Sequence, residues 1–298
     1  MKNLLSIENL KQSEIERILA DTLVMKRERG RHANQPLAGQ VWALLFAKSS
    51  TRTRVSFEVG IRELGGEPIF LSANEIQLGR GEPIKDTARV LARMVRGVVF
   101  RTFSQSDLEE FARYSNIPTI NALTDEEHPC QLLADIFTFE EKRGSIRGKV
   151  VAFLGDGACN VANSWAFAAS KCGFELRIAA PKGFQPSRAL LKRTGGQILV
   201  MSDVQAAAKG ADLLYTDVWV SMGKEGESAE RLKKLRGYQI NSALVKLAKP
   251  DALVMHCLPA YRGKEIDEET FEANAQTIFD QAENRLHVQK AILIELAK

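Results

Sequence analysis

The stretch "LLFAKSSTRTRVSFEVG", residues 44–60, joins a strand pattern to a helix pattern through a short polar turn. The apolar run at residues 41–46 has the length of a buried strand, and Phe57, Ile61 and Leu64 then recur at helical spacing. A strand that leads into a helix in this way is the repeating unit of α/β domains. This stretch therefore predicts an α/β fold.

The strand–helix alternation continues along the chain in two series. The predicted strands are residues 41–46, 68–71, 98–101 and 119–121 in the first series, and 150–154, 176–180, 198–201, 213–216 and 253–256 in the second. Continuous apolar runs are typical of parallel strands buried on both faces. We therefore expect two doubly wound parallel-sheet domains of the α/β class, linked by long helices.

The domain boundary is predicted at "EEKRGSIRGK", residues 140–149, where a charged stretch broken by glycines follows a long helix that starts near His128. We expect a first domain at residues 1–143, a second at 144–281, and a terminal helix at 282–298 that packs back on the first domain. At the other end of the chain, Ser13 and Glu16 predict a capping box before the first helix.

Composition narrows the class of protein. The chain has 298 residues, of which 45% are apolar and 26% charged, values typical of soluble globular proteins. Lys and Arg exceed Asp and Glu by four without forming a basic tail, which argues against nucleic acid as a partner. The sequence shows neither a signal-peptide pattern nor an apolar run of about 20 residues, so we expect a cytoplasmic protein without a membrane span.

Cysteine and histidine spacing indicates no metal site. The four cysteines are scattered and form no CxxC pair, so neither a disulfide framework nor structural zinc is expected. His128 lies near Cys130, but no further cysteine or histidine clusters with this pair.

Ligands of doubly wound sheets bind beyond the carboxyl ends of the strands, so the polar residues after each predicted strand are the candidates for function. In the first domain these are the turn at residues 50–54, Arg101, and the "HPCQ" segment with His128 and Gln131. A helix start offers unpaired N–H groups and partial positive charge, and the hydroxyls and Arg52 add further donors. An N-cap followed by solvated arginines is the alternative, but five consecutive donors favour an anion site.

The second domain carries three polar motifs after its strands: "GDGACN" at 155–160, "DVWVSMG" at 217–223 and "HCLP" at 256–259. The glycines of the first motif match part of a dinucleotide fingerprint, but Asn160 stands where the third glycine of G-x-G-x-x-G belongs. A nicotinamide-dependent oxidoreductase is therefore an alternative rather than the leading interpretation.

Taken together, these motifs resemble the aspartate/ornithine carbamoyltransferase family. "STRTR" and "HPCQ" are similar to its shared carbamoyl phosphate signatures, whereas "DVWVSMG" and "HCLP" are similar to the ornithine branch. "DTARVLARM" and "QAENR" occur in the family order as well. The resemblance implies transfer of a carbamoyl group from carbamoyl phosphate to the side-chain amine of L-ornithine, as in arginine biosynthesis, with neither a metal nor an organic cofactor.

The resemblance also assigns roles to individual residues. Those implied to bind carbamoyl phosphate are Ser50, Thr51, Arg52, Thr53, Arg101, His128 and Gln131, with Arg285 near the carbamoyl group. Those implied to hold ornithine are Asn160, Asp217, Ser221 and Met222, with Cys257 and Leu258 at the reacting end. Among these, Arg52, Arg101, His128, Asp217 and Cys257 are the catalytic candidates. The family assembles as homotrimers or multiples of trimers, which implies that Gln77 of "SANEIQLGRGEP" completes a neighbour's site.

The residue types support ornithine over aspartate independently of the resemblance. Aspartate brings a second carboxylate, which calls for arginines in the second domain's pocket. Asn160, Asp217 and Ser221 offer an amide, a carboxylate and a hydroxyl instead, groups that suit an amino acid with a cationic side chain. A related amine such as acetylornithine or putrescine remains an alternative acceptor.

Overall fold

The structure is a computed structural model that describes residues 1–32, 34–72, 81–221 and 225–298, and the chain divides into two compact units. The first unit consists of Met1–Phe137 together with Glu283–Lys298, and the second consists of Thr138–Ala282. Each unit contains one parallel sheet with helices between its strands. The predicted α/β fold with two parallel-sheet domains is confirmed.

The first unit has a four-stranded sheet in the order β2-β1-β3-β4. Its strands are β1 Val41–Phe46, β2 Glu67–Ser72, β3 Gly97–Arg101 and β4 Thr119–Leu123, and its helices are α1 Gln12–Arg27, α2 Thr51–Glu63, α3 Ile84–Leu91 and α4 Gln105–Ser115. Strand β1 lies between β2 and β3, so the winding of the chain reverses at β1. Such a reversal opens a crevice at the carboxyl ends of the two adjacent strands β1 and β3.

The second unit has a five-stranded sheet in the order β7-β6-β5-β8-β9, which reverses at β5 in the same way. Its strands are β5 Val150–Leu154, β6 Glu175–Ala179, β7 Ile198–Met201, β8 Leu213–Thr216 and β9 Leu253–His256, and its helices are α6 Asn160–Cys172, α7 Arg188–Thr194, α8 Val204–Ala208, α9 Ser228–Leu235, α10 Ser242–Val245 and α11 Glu268–Ala273. The crevice of this sheet lies between the ends of β5 and β8.

Two long helices, α5 Pro129–Arg143 and α12 Ala275–Ala297, each carry the chain from one unit into the other. The last part of α12 is anchored within the first unit by ion pairs. Buried Lys290 donates to Glu63 Oε2 at 2.6 Å, and Arg17 donates to Glu295 Oε1 at 2.5 Å. These contacts make the carboxyl-terminal residues part of the first unit's core.

The first helix starts earlier than the sequence indicates. Lys11 is its N-cap residue, and the Lys11 N–H donates to Glu14 Oε2 at 2.9 Å. The predicted capping box of Ser13 and Glu16 is therefore wrong, because both residues lie inside α1. Among the helices that the structure describes, none is both long and apolar enough to traverse a bilayer.

Close packing fixes the register of β1 against β3. Gly97 pairs with Trp42 across these strands, and a Cβ at Gly97 would lie 2.4 Å from Cζ3 of the fully buried Trp42 ring. Only a glycine leaves room for the indole at this position.

We expect Gly97→Ala to lower the free energy of unfolding by about 1–3 kcal/mol, because the added methyl overpacks a buried aromatic ring. Urea denaturation measures this change. Gly237→Ala is the matched control, since a Cβ there meets no atom within 4 Å. Equal stability of the two variants would contradict the packing argument.

Candidate active site

The end of β1 and the end of β3 lie side by side in the first unit. Phe46 is opposite Arg101 in the register, and the Ala47 N–H donates to the Arg101 carbonyl at 2.8 Å. The polar turn after β1 then starts helix α2, with Ser50 as N-cap residue: its Oγ accepts from the Thr53 N–H at 3.3 Å. Because a hydroxyl can accept one hydrogen bond and donate another, capping is compatible with ligand binding by Ser50.

The residues of the "STRTR" run differ in burial and in their contacts. Thr51 and Arg52 are exposed, whereas Thr53 is buried. Arg54 donates to Glu58 Oε1 at 2.7 Å, and its guanidinium lies 3.7 Å from the centroid of the Phe70 ring. Arg54 therefore has a local structural role on the surface of α2.

Arg285 joins three segments that are distant in sequence. Its Nη1 donates to Gln131 Oε1 at 2.6 Å, and its Nη2 donates to Thr53 Oγ1 at 3.1 Å. Gln131 in turn donates from Nε2 to Asp135 Oδ1 at 2.8 Å. The starts of α2 and α5 are thus held to α12 by one buried guanidinium.

Arg101 is buried, with 5% of its surface exposed, and its Nε has no hydrogen-bond partner within the part of the chain that the structure describes. Burial, together with the nearby charges of Arg285 and Arg52, lowers its pKa to about 10. No carboxylate of the described residues forms an ion pair with it. A buried cation without an acidic partner is costly, so an anion fits this position.

His128 lies in the same positive environment. Burial, then the charges of Arg285 and Arg101, hold the pKa of His128 well below its usual value. Its imidazole is therefore neutral at neutral pH and can hydrogen-bond a ligand without adding charge. The structure thus gathers Arg52, Arg101, His128 and Arg285 into one electrostatically coupled group, which Gln131 and Thr53 join through Arg285.

Lys48 supports this group and was not among the predicted site residues. Its buried Nζ pairs with Asp125 Oδ1 and lies 4.1 Å from the centroid of the Phe103 ring, while the Asp125 N–H donates to the Phe103 carbonyl at 2.8 Å. Lys48 therefore ties together the loops that follow β1, β3 and β4. Its place directly after a buried strand was the only sequence signal for this role.

Asp217 is the central polar residue of the second unit's crevice. Thr216 Oγ1 donates to the Leu154 carbonyl at 2.7 Å, which joins the ends of β8 and β5 just before Asp217. Asp217 Oδ1 accepts from the Cys257 thiol at 3.0 Å and from the Val218 N–H at 2.7 Å. Burial raises the pKa of Asp217, although the nearby His256, the thiol and the Val218 N–H oppose the increase.

The "HCLP" turn is held by buried His256. The Leu258 N–H donates to His256 Nδ1 at 2.8 Å, and His256 Nε2 lies 3.2 Å from Glu265 Oε1. The proton therefore belongs on Nε2, because Nδ1 accepts a bond. Leu258 has a φ of 58°, a backbone conformation uncommon for a leucine. This turn presents Cys257 to Asp217.

Asn160 and Ser221 are the remaining predicted site residues of this unit that the structure describes. Asn160 is the first residue of α6, where Cys159 Sγ accepts from the Ala162 N–H at 3.4 Å, and Ser221 is partly exposed. Met222 and Gln77 lie outside the described residues. Within the described ranges, no group of three or more His, Cys, Asp or Glu side chains is arranged to hold a metal ion.

Comparisons with known proteins give one consistent result. Residues 2–141 match the carbamoyl-P binding domain of aspartate/ornithine carbamoyltransferases, and residues 147–296 match the Asp/Orn binding domain. An ornithine carbamoyltransferase of Akkermansia muciniphila is 54% identical over 100% of this chain and 98% of its own. One from Methanoculleus marisnigri is 49% identical over 99% of this chain and 96% of its own.

Solved structures agree with these sequence matches. The ornithine carbamoyltransferase of Thermus thermophilus has a TM-score of 0.92 at 40% identity and covers 100% of this chain and 99% of its own. The anabolic ornithine carbamoyltransferase of Campylobacter jejuni has a TM-score of 0.93 at 42% identity, with 99% of both chains covered.

We expect inorganic phosphate at about 10 mM to raise the melting temperature of this protein by about 2 °C or more relative to chloride at equal ionic strength, because an anion that binds only the native state stabilises it. Arg101→Met should remove most of this increase. Differential scanning fluorimetry measures both effects.

Arg54→Met is the matched control, because Arg54 belongs to the same motif but pairs with Glu58 and Phe70. This control should keep the phosphate-dependent increase in melting temperature. A full increase in the Arg101→Met variant would remove Arg101 from the anion site.

Proposed function

This chain belongs to the aspartate/ornithine carbamoyltransferase family, and from that premise we propose that it transfers the carbamoyl group of carbamoyl phosphate to the side-chain amine of L-ornithine. The products are L-citrulline and phosphate. Its similarity to ornithine carbamoyltransferases and the two matched domains support this activity. The observation that carries the proposal is the buried guanidinium of Arg101, which lies near Arg52 and Arg285 and has no carboxylate partner among the described residues.

The first unit is suited to hold carbamoyl phosphate. Its phosphate carries negative charge, and further negative charge develops on the carbonyl oxygen and on the leaving phosphate during the reaction. Arg52 and Arg101 supply positive charge, while neutral His128 supplies a hydrogen bond. Fixed donors of this kind stabilise a developing oxyanion better than water does, because they need no reorganisation. Ser50, Thr51, Thr53, Gln131 and Arg285 complete the proposed donor set.

The second unit is suited to hold an amino acid with a cationic side chain. Asp217 supplies one carboxylate, and its raised pKa makes it a stronger base than a free aspartate. An alkyl ammonium has a reference pKa of about 10.4, so a neutral nucleophile at pH 7 costs roughly 4–5 kcal/mol. Asp217 and Cys257 are the groups that we assign to orient the amine and accept its proton. Asn160, Ser221, Met222 and Leu258 complete the proposed ornithine site.

The reaction proceeds by nucleophilic addition and elimination. The neutral amine nitrogen attacks the carbonyl carbon of carbamoyl phosphate and forms a tetrahedral adduct. The bond between that carbon and the bridging oxygen then breaks, phosphate leaves with the electron pair, and the nitrogen loses its proton. No atom changes its oxidation state in these steps, so they need no redox cofactor, and we propose that the donors of the first unit act without a metal.

Assembly and cellular context form the finer part of the proposal. By the family resemblance, we infer a homotrimer or a multiple of trimers, in which Gln77 of a neighbouring copy completes each site. We place the activity in the cytoplasm and in arginine biosynthesis; one solved relative is described as anabolic. Residues 1–143 act as the carbamoyl phosphate domain, residues 144–281 act as the ornithine domain, and residues 282–298 return to the first.

A colorimetric assay for ureido products tests the reaction on the purified protein. Carbamoyl phosphate is supplied with L-ornithine, acetylornithine or putrescine as the only amine. We expect a product from ornithine at the highest kcat/KM. A product from acetylornithine or putrescine alone would change the acceptor, and saturable binding of NADH with no ureido product would favour the oxidoreductase alternative.

We expect Asp217→Asn to lower kcat/KM for ornithine by about 100-fold or more, because the amide removes both the charge and the base. Carbamoyl phosphate binding, measured by calorimetry, should stay within about twofold. Asp203→Asn is the matched control, because exposed Asp203 caps α8 and Asn caps a helix equally well. Equal losses for both substrates would contradict the role of Asp217.

A further inference from the structure

Arg231 on helix α9 is a buried cation that the mechanism does not use. Its surface is 5% exposed, and its guanidinium bonds to three different segments of the second unit. Nε donates to the Trp219 carbonyl at 2.8 Å, Nη2 pairs with buried Asp156, and Nη1 donates to Glu227 Oε2 at 3.3 Å. The Phe184 ring covers the guanidinium at 4.8 Å.

The partners of Arg231 lie beside the residues proposed to hold ornithine. Trp219 comes two residues after Asp217, and Asp156 comes four residues before Asn160. Asp156 uses its other oxygen to accept from the Ala158 N–H at 3.1 Å, so it also shapes the turn that leads into α6. Arg231 therefore joins the two loops that leave the switch-point strands β5 and β8.

Packing strengthens the same connection. The buried Trp219 indole lies over Gly155, where a Cβ would be 3.3 Å from Trp219 Nε1. Gly155 has a φ of 124°, a conformation that a side chain rarely adopts. The "GDG" turn is thus adapted to receive the Trp219 ring, and Arg231 fixes the backbone of that residue.

We propose that Arg231 and Asp156 are positioning residues for the amino-acid substrate: their ion pair sets the distance between the Asp217 loop and the Asn160 turn. This inference rests on the proposed function. It extends that function to two residues that do not themselves touch substrate. A pair with this role affects the binding of ornithine, whereas the donors for carbamoyl phosphate all lie in the first unit.

Geometry explains why an arginine is used. A guanidinium has a planar fork of donors, so it can serve a backbone carbonyl and a carboxylate at once. Lysine keeps the charge but offers a single ammonium on a flexible stem. Misplacement of a substrate-holding group by about 1 Å can lower the rate by up to about 100-fold. We therefore expect the Lys variant to fold but to align the Asp217 loop and the Asn160 turn poorly.

Arg231→Lys and Asp156→Asn test the inference in the citrulline assay. We expect the KM for ornithine to rise by about tenfold or more in each variant, while the KM for carbamoyl phosphate stays within about twofold. Arg236→Lys is the matched control, because Arg236 is exposed at the end of the same helix and should leave both constants unchanged. A loss of stability alone would not raise the KM for ornithine and leave the KM for carbamoyl phosphate unchanged.

The outcomes distinguish a failure of the positioning role from a failure of the proposed function. If the unaltered protein forms no citrulline, the proposed function fails, and this inference fails with it. If the unaltered protein is active but each variant changes both KM values equally, or neither, the positioning role is overturned. The comparison uses any variant that melts within about 5 °C of the unaltered protein; loss of folding in both would make the pair a folding element and also overturn the inference.

Discussion

Burial of the Arg101 guanidinium, without an acidic partner among the residues that the structure describes, is the constraint on which the first unit depends. Burial, together with repulsion from the neighbouring Arg285 and Arg52, lowers the pKa of Arg101 to about 10, so the charged guanidinium destabilises the native state. The scaffold must therefore hold these groups by other means. Lys48 with Asp125 ties the strand-end loops together, and Arg285 is held by Gln131 and Thr53. In the proposed function, carbamoyl phosphate supplies the missing negative charge.

The sheets of both units reverse their strand order, at β1 and at β5, but the buried charges near the two reversals differ. In the second unit the buried Arg231 is fully engaged by Asp156 and the Trp219 carbonyl, so its charge is compensated within the fold. The group that faces the crevice is instead the carboxylate of Asp217, partnered by a neutral thiol. A compensated buried charge supports the structure, whereas an uncompensated one favours a ligand of opposite sign. The contrast between Arg231 and Arg101 follows this rule.

The sequence predicted the fold more accurately than it predicted the contacts of individual charged residues. Strands such as β1 and β5 were predicted with the bounds that the structure shows, because a strand buried on both faces is a continuous apolar run. The predicted capping box at Ser13 was wrong, because the start of a helix depends on which of several neighbouring residues acts as its N-cap. In this chain Lys11 is the N-cap residue and its N–H donates to the Glu14 side chain. Lys48 and Arg231 were missed, since their partners lie 77 and 75 residues away along the chain.

The environment of Asp217 fits the role that we propose for it, in which one carboxylate holds an amine and also accepts its proton. A fully solvated aspartate binds an ammonium well but is a weak base, whereas burial raises the pKa of Asp217 and makes it a better proton acceptor. The nearby His256 and the bonds from Cys257 and Val218 oppose that increase in pKa. Desolvation and hydrogen bonding thus act in opposite directions on one group. In the proposed function, this balance suits Asp217 both to attract the ornithine ammonium and to accept its proton.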